Sequence, residues 1–288
     1  MADPVVRIAS GAWEANLLPA LGGAILSLRL AGLDILRPSP DSPAQVLDTA
    51  CFPLVPYANR IAHGRFAFEG RAVALPRNFG DHPHSLHGAS WQAAWTVETE
   101  ASDRAVLVHD HDTDTAWPWR YRAEQIFRLD DGGLSVTLAI TNTDISAMPA
   151  GLGFHPYFPA DATTTLQMAT GGVWLSDAEQ LPVRLATTET VENWAAGAPV
   201  MRSALVDHCF AGWDGTATLT SGAHRTTLSA DGARFVHVHI PPHVGFVGIE
   251  PVSHMPDAVN RPVPPDDSGL ARLAPGATMR LTMRIAAC

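Results

Sequence analysis

Two side chains that could exchange protons each follow an apolar segment and precede a proline. His155 stands before Pro156, and Glu250 ends the apolar run Val244–Ile249 before Pro251. Histidine is the usual proton donor and acceptor near neutral pH. A carboxylate beside an apolar strand needs an ion pair or a catalytic role, because burying it unpaired is costly. Since proline is excluded from central strands, the pattern predicts that both side chains reach the rim of a sheet. Taken alone, each of the two residues could equally well be a buried side chain that only stabilises the fold.

Asn59 and Arg60 are candidates for binding a polar ligand. They precede a strand-like segment in which Phe66 and Phe68 alternate, so we expect them in a loop at the rim of a sheet. Arginine offers five donors in a fixed fork, which suits hydroxyl groups or a carboxylate. A surface salt bridge is the ordinary alternative for an isolated arginine.

The segment His82–Gly88 contains three histidines, His82, His84 and His87. A zinc site would need further ligands from elsewhere in the chain, and loop histidines are more often solvated or hydrogen-bonded. His87-Gly88 is the more informative pair, because glycine lets a backbone and a ligand approach closely.

A second metal hypothesis uses two histidines that share one strand face, His237 and His239. Together with His243 and Glu250 they could form a cupin-like site. The spacing to the glutamate is loose, so histidines of the core or rim are the default interpretation.

The elements that must position these residues follow a period of two. Leu134–Thr141, Met279–Ile285 and Trp119–Leu129 alternate large apolar with small or polar side chains, as half-buried strands do. Asp-Gly and Gly-Gly dipeptides, which are typical of turns, separate these segments. The sequence shows no long amphipathic helix, although residues 186–204 could hold a turn of helix. The pattern predicts an all-β fold, a large antiparallel β-sandwich formed as a single domain by residues 1–288.

Composition narrows the classes of function. The net charge is −10, and all 19 basic residues are arginine. Without lysine, Schiff-base chemistry and a P-loop are excluded, and scattered arginines on an acidic chain argue against nucleic acid. Three distant cysteines fit a reducing compartment. The sequence shows neither a signal peptide at the N-terminus nor a membrane segment, so we expect a cytoplasmic protein. Residues 262–269 are rich in proline and aspartate, which predicts an exposed loop near the end of the chain.

Taken together, the motifs resemble those of the aldose 1-epimerases, or galactose mutarotases. The resemblance spans roughly residues 20–285 and ends with Leu273–Gly276 before the last strand. The motifs match in order and approximate spacing: Asn59-Arg60-Ile61 with Gly64, Phe66 and Gly70, then His87-Gly88, then Gly153–Phe158, then Glu250 with Pro256–Asn260.

This resemblance implies a galactose mutarotase-like supersandwich with Glu250 as general base and His155 as general acid. His87 matches a second active-site histidine, Arg60 an arginine that contacts substrate beside Asn59, and Asp207 an aspartate that holds sugar hydroxyls. It implies interconversion of the α and β anomers of a free sugar without a metal or other cofactor, by a monomer or homodimer.

Departures from the family pattern leave the sugar open. Pro159-Ala160 follows the histidine motif where many members have asparagine and leucine, and Pro251 follows Glu250 where galactose-specific members continue with threonine and glutamine. Two alternatives on the same fold remain: a carbohydrate-binding protein without catalysis, and a hexose 6-phosphate mutarotase, which would need clustered basic residues in the cleft.

Overall fold

The structure, a computed structural model, describes residues 4–261 and 265–288. Short β-strands dominate it, and the predicted all-β class is confirmed. In chain order the strands are β1 (Val6–Ser10), β2 (Trp13–Leu18), β3 (Ala24–Leu30), β4 (Leu33–Asp34), β5 (Pro53–Leu54), β6 (Arg60–Ile61), β7 (Arg65–Phe68), β8 (Arg71–Ala74), β9 (Ser85–Leu86), β10 (Thr96–Glu100), β11 (Arg104–His111), β12 (Tyr121–Asp130), β13 (Gly133–Asn142), β14 (Met148–Ala150), β15 (Gly153–Phe154), β16 (Tyr157–Pro159), β17 (Thr165–Met168), β18 (Gly172–Ser176), β19 (Pro182–Ala186), β20 (Ala198–Pro199), β21 (Val206–Ala211), β22 (Thr216–Ser221), β23 (His224–Asp231), β24 (Phe235–Ile240), β25 (Phe246–Val252), β26 (Ala271–Leu273) and β27 (Thr278–Ala287).

Helical structure in the described part of the chain is limited to single turns. The α-helix α1 covers Pro265–Ser268, and 3₁₀ turns lie at Val46–Asp48, Ala62–Gly64, Ser90–Gln92, Thr188–Thr190, Trp194–Ala196 and Ala258–Asn260. Within the loop predicted at 262–269, residues 262–264 lie outside the described residues, and the next four form α1 instead of a loop. No helix in the described ranges combines the length and apolar character that crossing a membrane would require.

Two large antiparallel sheets form the sandwich. The nine-stranded sheet has the order β10-β11-β12-β13-β27-β23-β22-β17-β20, and the eight-stranded sheet has the order β19-β18-β21-β24-β25-β15-β5, with β16 also paired to β25. Neighbouring strands in the nine-stranded sheet bury matching positions: Leu138 of β13 lies opposite Leu281 of β27, and both are fully buried. The period-two pattern of the sequence therefore marks the core face, as predicted.

The eight-stranded sheet carries apolar side chains on one face and polar ones on the other. Along β24, Val236, Val238 and Ile240 belong to the main core, while His237 and His239 alternate with them and point to the opposite face. This opposite face is the one on which candidate catalytic residues gather.

Glu250 lies within a strand, so the prediction that it ends one is wrong. β25 continues past it to Val252, and Pro251 is a strand residue. The reason is an interrupted ladder on one side of β25, where β16 pairs with its first part and β15 with its last residue. His155 and Pro156 occupy the short break between β15 and β16, and both strands pair with β25 in one register. His155 therefore lies at an interruption within the sheet and not, as the sequence suggested, where a strand leaves it. A break in pairing is a position that tolerates proline.

Arg60 also differs slightly from expectation. It begins the two-residue strand β6 and pairs with Leu86 of β9, whereas the sequence predicts a loop. The strand is too short to produce a visible alternation, so the pattern alone could not reveal it.

Candidate active site

His155 and Glu250 face each other across the interrupted ladder. Tyr157 pairs with Gly248, and continuing that antiparallel register by two residues places His155 opposite Glu250. The imidazole Nε2 of His155 is 3.1 Å from Oε1 of Glu250, and both side chains are buried. The register of two strands thus brings a potential acid and a potential base into direct contact.

Aromatic rings surround this pair on the sheet side. The ring of Phe52 stacks on His155 at 4.8 Å between centroids, and Tyr157 packs against it at 4.5 Å. Burial raises the pKa of Glu250 well above its ordinary value, and the nearby charge of Asp207 adds to the effect. Burial also lowers the pKa of His155 well below its ordinary value. Each group is therefore driven toward its neutral form, and the pair has to share protons.

Asp207 of β21 is the centre of a second polar cluster. Its Oδ1 is 2.6 Å from Nε2 of His237 and 3.5 Å from Nδ1 of His239, and its Oδ2 accepts a hydrogen bond of 2.8 Å from Arg60. Burial alone would raise the pKa of Asp207, but His237, His239 and Arg60 together hold it well below its ordinary value. Asp207 is therefore an anion whose charge is balanced by Arg60.

Asn59 links this cluster to His87. The backbone N–H of Asn59 donates to Nδ1 of His87 at 3.1 Å, and the backbone N–H of His87 donates to the carbonyl of Asn59 at 2.8 Å. Because Nδ1 accepts a hydrogen bond, the ring proton of neutral His87 lies on Nε2. Burial and the charge of Arg60 lower the pKa of His87 to about 3, so the ring is neutral at physiological pH. The side-chain carbonyl of Asn59 in turn accepts from Arg60 at 3.0 Å.

Gly88 is required for a different reason from the one predicted. The sequence suggested that this glycine brings backbone and ligand together, but it brings two backbone segments together instead. Its φ is +82°, and a Cβ would lie 2.3 Å from the carbonyl oxygen of Val55. Gly88 therefore fixes the loop that carries His87 against Val55.

One cleft with a volume of about 210 Å³ collects all six residues that the family resemblance assigned to the site. This is below the roughly 300–1,000 Å³ of pockets for drug-sized ligands, so it fits a compact molecule. The cleft is lined by Asn59, Arg60, His87, His155, Asp207 and Glu250, joined by Leu47, Phe79, His82, Leu86, Tyr157, His237 and His239.

The sequence did not point to the aromatic residue Phe52, and it suggested a different role for His237 and His239. Alternation along β24 places the two histidines on one face as expected, but they contact Asp207 instead of converging on Glu250. His243, the other member of the cupin-like hypothesis, lies exposed in the turn before β25. The position of Asp207 opposite His239 in the β21–β24 pair is the signal that would have connected them.

Within residues 4–261 and 265–288, the histidine and carboxylate atoms that converge within 4.8 Å belong to His63, His84 and Glu179. Their geometry does not suit a metal. The backbone N–H of His63 donates to Nδ1 of His84 at 3.1 Å, which places the ring proton of His84 on Nε2. That Nε2 donates to the backbone carbonyl of Glu179 at 3.0 Å, so it has no free lone pair for a cation.

The aldose 1-epimerase family model matches residues 5–286. The chain belongs to the aldose 1-epimerase family. Among its relatives is YphB of Escherichia coli K12, an uncharacterized protein that is 33% identical over 285 residues, with 92% of this chain and 93% of YphB covered. The aldose 1-epimerase of the same organism is 32% identical over 111 residues, which cover 36% of this chain and 31% of that protein.

Solved structures agree with this membership in the aldose 1-epimerase family. A candidate aldose 1-epimerase from Escherichia coli K12 superposes with a TM-score of 0.90 at 28% identity, with 99% of each chain covered. A galactose mutarotase-like protein from Clostridium acetobutylicum has a TM-score of 0.88 at 20% identity, covering 98% of this chain and 94% of that chain. The second likeness bears on the fold alone, and the galactose mutarotase-like sandwich predicted from the sequence is confirmed.

Proposed function

We propose that this protein is a mutarotase that interconverts the α and β anomers of a free, uncharged aldose. The observation that carries the proposal is the 3.1 Å contact between His155 and Glu250 in a cleft of polar side chains. An anomer changes only when the ring opens, and this requires one group to take a proton from the C1 hydroxyl while another protonates the ring oxygen. Both oxygens are bonded to the same carbon, so the acid and the base must be close neighbours.

In the proposed reaction Glu250 removes the proton from the C1 hydroxyl as the bond between C1 and the ring oxygen breaks. His155 gives its proton to the ring oxygen, and the product is the open-chain aldehyde. Rotation about the C1–C2 bond presents the other face of the carbonyl, and ring closure returns each proton to its donor. Positioned acid–base catalysis of this kind supplies about 10²–10⁴-fold per group.

For this cycle, His155 and Glu250 must hold one transferable proton between them, in addition to the ring proton of neutral histidine. In the empty cleft, burial favours the neutral form, with the proton on Glu250 and a neutral His155. The reactive form carries that proton on His155 and is reached by transfer across the 3.1 Å contact, without exchange with solvent. Because both forms have zero net charge, desolvation does not oppose the transfer as it would oppose creating a lone charge.

The remaining residues of the cleft are proposed to hold the sugar. His87 is neutral and carries its proton on Nε2, so it serves as a hydrogen-bond donor to a sugar oxygen and not as the acid. Asp207 accepts from sugar hydroxyls, and Arg60, held by Asn59 and Asp207, donates to them. These roles use donors and acceptors of the chain alone and require no cofactor.

Charge balance favours an uncharged sugar over a hexose 6-phosphate. Arg60 is the arginine that lines the cleft in the described part of the chain, and its charge is already matched by Asp207 at 2.8 Å. A phosphate entering beside Asp207 would meet a carboxylate as well as the arginine. Recognition of phosphate depends on positive charge that is not already paired.

The test is a panel of anomer-exchange measurements by NMR on purified protein. Glucose, galactose, xylose and arabinose are compared with glucose 6-phosphate and glucuronic acid, and we expect acceleration over buffer for at least one uncharged aldose. Relaxation of every sugar at the buffer rate would refute the proposal and leave a carbohydrate-binding protein without catalysis. Metal analysis of the same sample accompanies the panel, because loss of activity on removal of a stoichiometric metal would contradict the proposed mechanism.

A further inference from the structure

Arg37, which follows β4, is a half-buried cation packed against residues of the catalytic cleft. Its Nη2 donates hydrogen bonds of 2.7 Å to the backbone carbonyls of Leu47 and of Thr49. Its Cζ lies 4.0 Å from the ring centroid of Tyr157 and 4.5 Å from that of Phe246. Burial lowers the pKa of Arg37 below its ordinary value. Because a partly desolvated charge is costly to keep, this arrangement needs a reason.

The contacts of Arg37 converge on Tyr157, which lines the cleft. The backbone N–H of Arg37 donates to the carbonyl of Tyr157 at 2.8 Å, so main chain and side chain hold the same residue. Phe246 packs edge-on against Tyr157 with 5.2 Å between ring centroids. A cation above the face of an aromatic ring is attracted to it. The ring of Tyr157 is therefore held in place by a charge as well as by packing.

The orientation of His155 depends on the rings around it. A catalytic histidine is commonly oriented by a hydrogen bond at the nitrogen that does not react. Nδ1 of His155 is buried and has no hydrogen-bond partner among the described residues, while its Nε2 contacts Glu250. The nearest aromatic rings are those of Tyr157, at 4.5 Å between centroids, and Phe52, at 4.8 Å. Packing against these rings therefore takes the place of the orienting hydrogen bond.

We propose that Arg37 is a positioning residue for the acid of the reaction: it fixes the ring of Tyr157, and that ring holds the imidazole of His155 toward Glu250. The inference rests on the proposed mutarotase function, in which His155 protonates the ring oxygen of the sugar. Arg37 acts without touching the sugar. None of the residues that it contacts is proposed to bind the sugar, so its effect should appear in kcat more than in KM.

The first experiment measures NMR anomer exchange with the aldose that the wild type accelerates most. Arg37→Met removes the charge and the donors but keeps a long side chain, and it should lower kcat roughly tenfold with little change in KM, because a slightly misplaced acid reacts slowly. Arg37→Lys keeps the charge but loses the flat group that lies over Tyr157. Its kcat should lie between those of the wild type and Arg37→Met.

Arg71→Met is the matched control. The guanidinium of Arg71 also donates to a backbone carbonyl, that of Pro118 at 3.1 Å, and its Cζ also lies near an aromatic ring, 5.0 Å from the centroid of Trp119. These residues lie outside the catalytic cleft. The kcat of Arg71→Met should therefore equal that of the wild type, which separates the proposed role from the general loss of an arginine stacked on a ring.

A double-mutant cycle tests whether Arg37 acts through Tyr157. Tyr157→Leu removes the ring and should lower kcat at least as much as Arg37→Met does. If the effect of Arg37 passes through that ring, adding Arg37→Met to Tyr157→Leu should cause little further loss, because residues in one chain of contacts have non-additive effects. Losses that multiply would mean that the two residues act independently, and the proposal would be wrong.

A second measurement observes the imidazole of His155 directly and does not depend on turnover. In protein with ¹³C-labelled histidine, the Cε1–H signal of His155 is identified by its loss in His155→Asn. We expect this signal to shift or broaden in Arg37→Met, because the ring is no longer held, and to match the wild type in Arg71→Met. Thermal unfolding of each variant checks that it is folded.

The outcomes separate the positioning role from the mutarotase function. If folded Arg37→Met keeps the kcat of the wild type or an unchanged His155 signal, the positioning role is refuted and the mutarotase function stands. If Arg37→Met does not fold, Arg37→Lys decides in its place, and a kcat and a His155 signal equal to those of the wild type refute the role. If the wild type accelerates no aldose, the mutarotase function itself fails and the positioning role falls with it.

Discussion

The imidazole Nε2 of His155 lies 3.1 Å from Oε1 of Glu250 across the gap in the ladder between β15, β16 and β25. Both β15 and β16 pair with β25 in one register, and this register places His155 directly opposite Glu250. Each of the two residues precedes a proline, and the two prolines lie at the same interruption. The register of the strands on either side of the gap therefore aligns the pair.

Glu250→Gln should lower kcat for anomer exchange by roughly 10²–10⁴-fold, because the amide keeps the shape of the carboxylate but cannot accept the C1 hydroxyl proton. NMR exchange rates measure the loss, and thermal unfolding checks that the fold is retained. Glu179→Gln is the control, since that side chain is half exposed and outside the cleft. An unchanged rate in Glu250→Gln would mean that the base is another residue.

His155→Asn should reduce kcat to a similar extent, because asparagine cannot carry a proton to the ring oxygen. The matched control is His109→Asn, a partly buried histidine of β11 in the nine-stranded sheet. Both variants are assayed by the same NMR exchange method. Activity retained by His155→Asn would transfer the acid role to His87 and contradict the neutral donor role proposed for that ring.

The pH dependence of kcat/KM should be bell-shaped. Activity requires one proton on the pair, and it falls when a second proton binds or the last one leaves. Burial lowers the pKa of His155, so the acidic limb should lie below its ordinary value of 6.5. Burial raises the pKa of Glu250, so the alkaline limb should lie above its ordinary value of 4.5. An acidic limb above pH 6.5 would contradict this assignment.

Asp207→Asn should weaken the discrimination against hexose 6-phosphates, because Arg60 loses the carboxylate that balances its charge. We expect the ratio of kcat/KM for glucose 6-phosphate to that for glucose to rise by roughly tenfold, equivalent to about 1.4 kcal/mol. Asp110→Asn, at an exposed position of β11, is the control and should leave the ratio unchanged. A ratio unaffected by Asp207→Asn would show that charge balance at Arg60 does not set this preference.

Gly88→Ala should destabilise the protein more than Gly70→Ala. Both glycines have φ near +80°, so each alanine costs about 1–2 kcal/mol in the left-handed region. A Cβ at position 70 meets no atom within 4 Å, whereas one at position 88 meets the carbonyl of Val55, which adds about 1–3 kcal/mol. Urea unfolding measures the difference. Equal losses for the two variants would mean that the loop carrying His87 moves freely to relieve the contact.

Much of this protein could be predicted from local pattern. Alternation along Leu134–Thr141 and Met279–Ile285 identifies two core strands correctly, because one face of each strand is buried against the other sheet. The family resemblance carried by the order of short motifs also pointed to the residues that the structure places in one cleft. Both the alternation and the motifs depend on residues close together in the chain, so they can be recognised in the sequence without knowledge of the fold.

The tertiary structure alone decided how those residues are related. His155 and Glu250 are 95 positions apart in the chain, and only the register of β16 against β25 makes them neighbours. The balance of Arg60 by Asp207, the ring proton of His87 and the partner of His237 likewise depend on contacts between distant strands. Residue types set which chemistry is available, but burial, register and charge pairing set which atoms can perform it, since those quantities exist only once the sheets have packed.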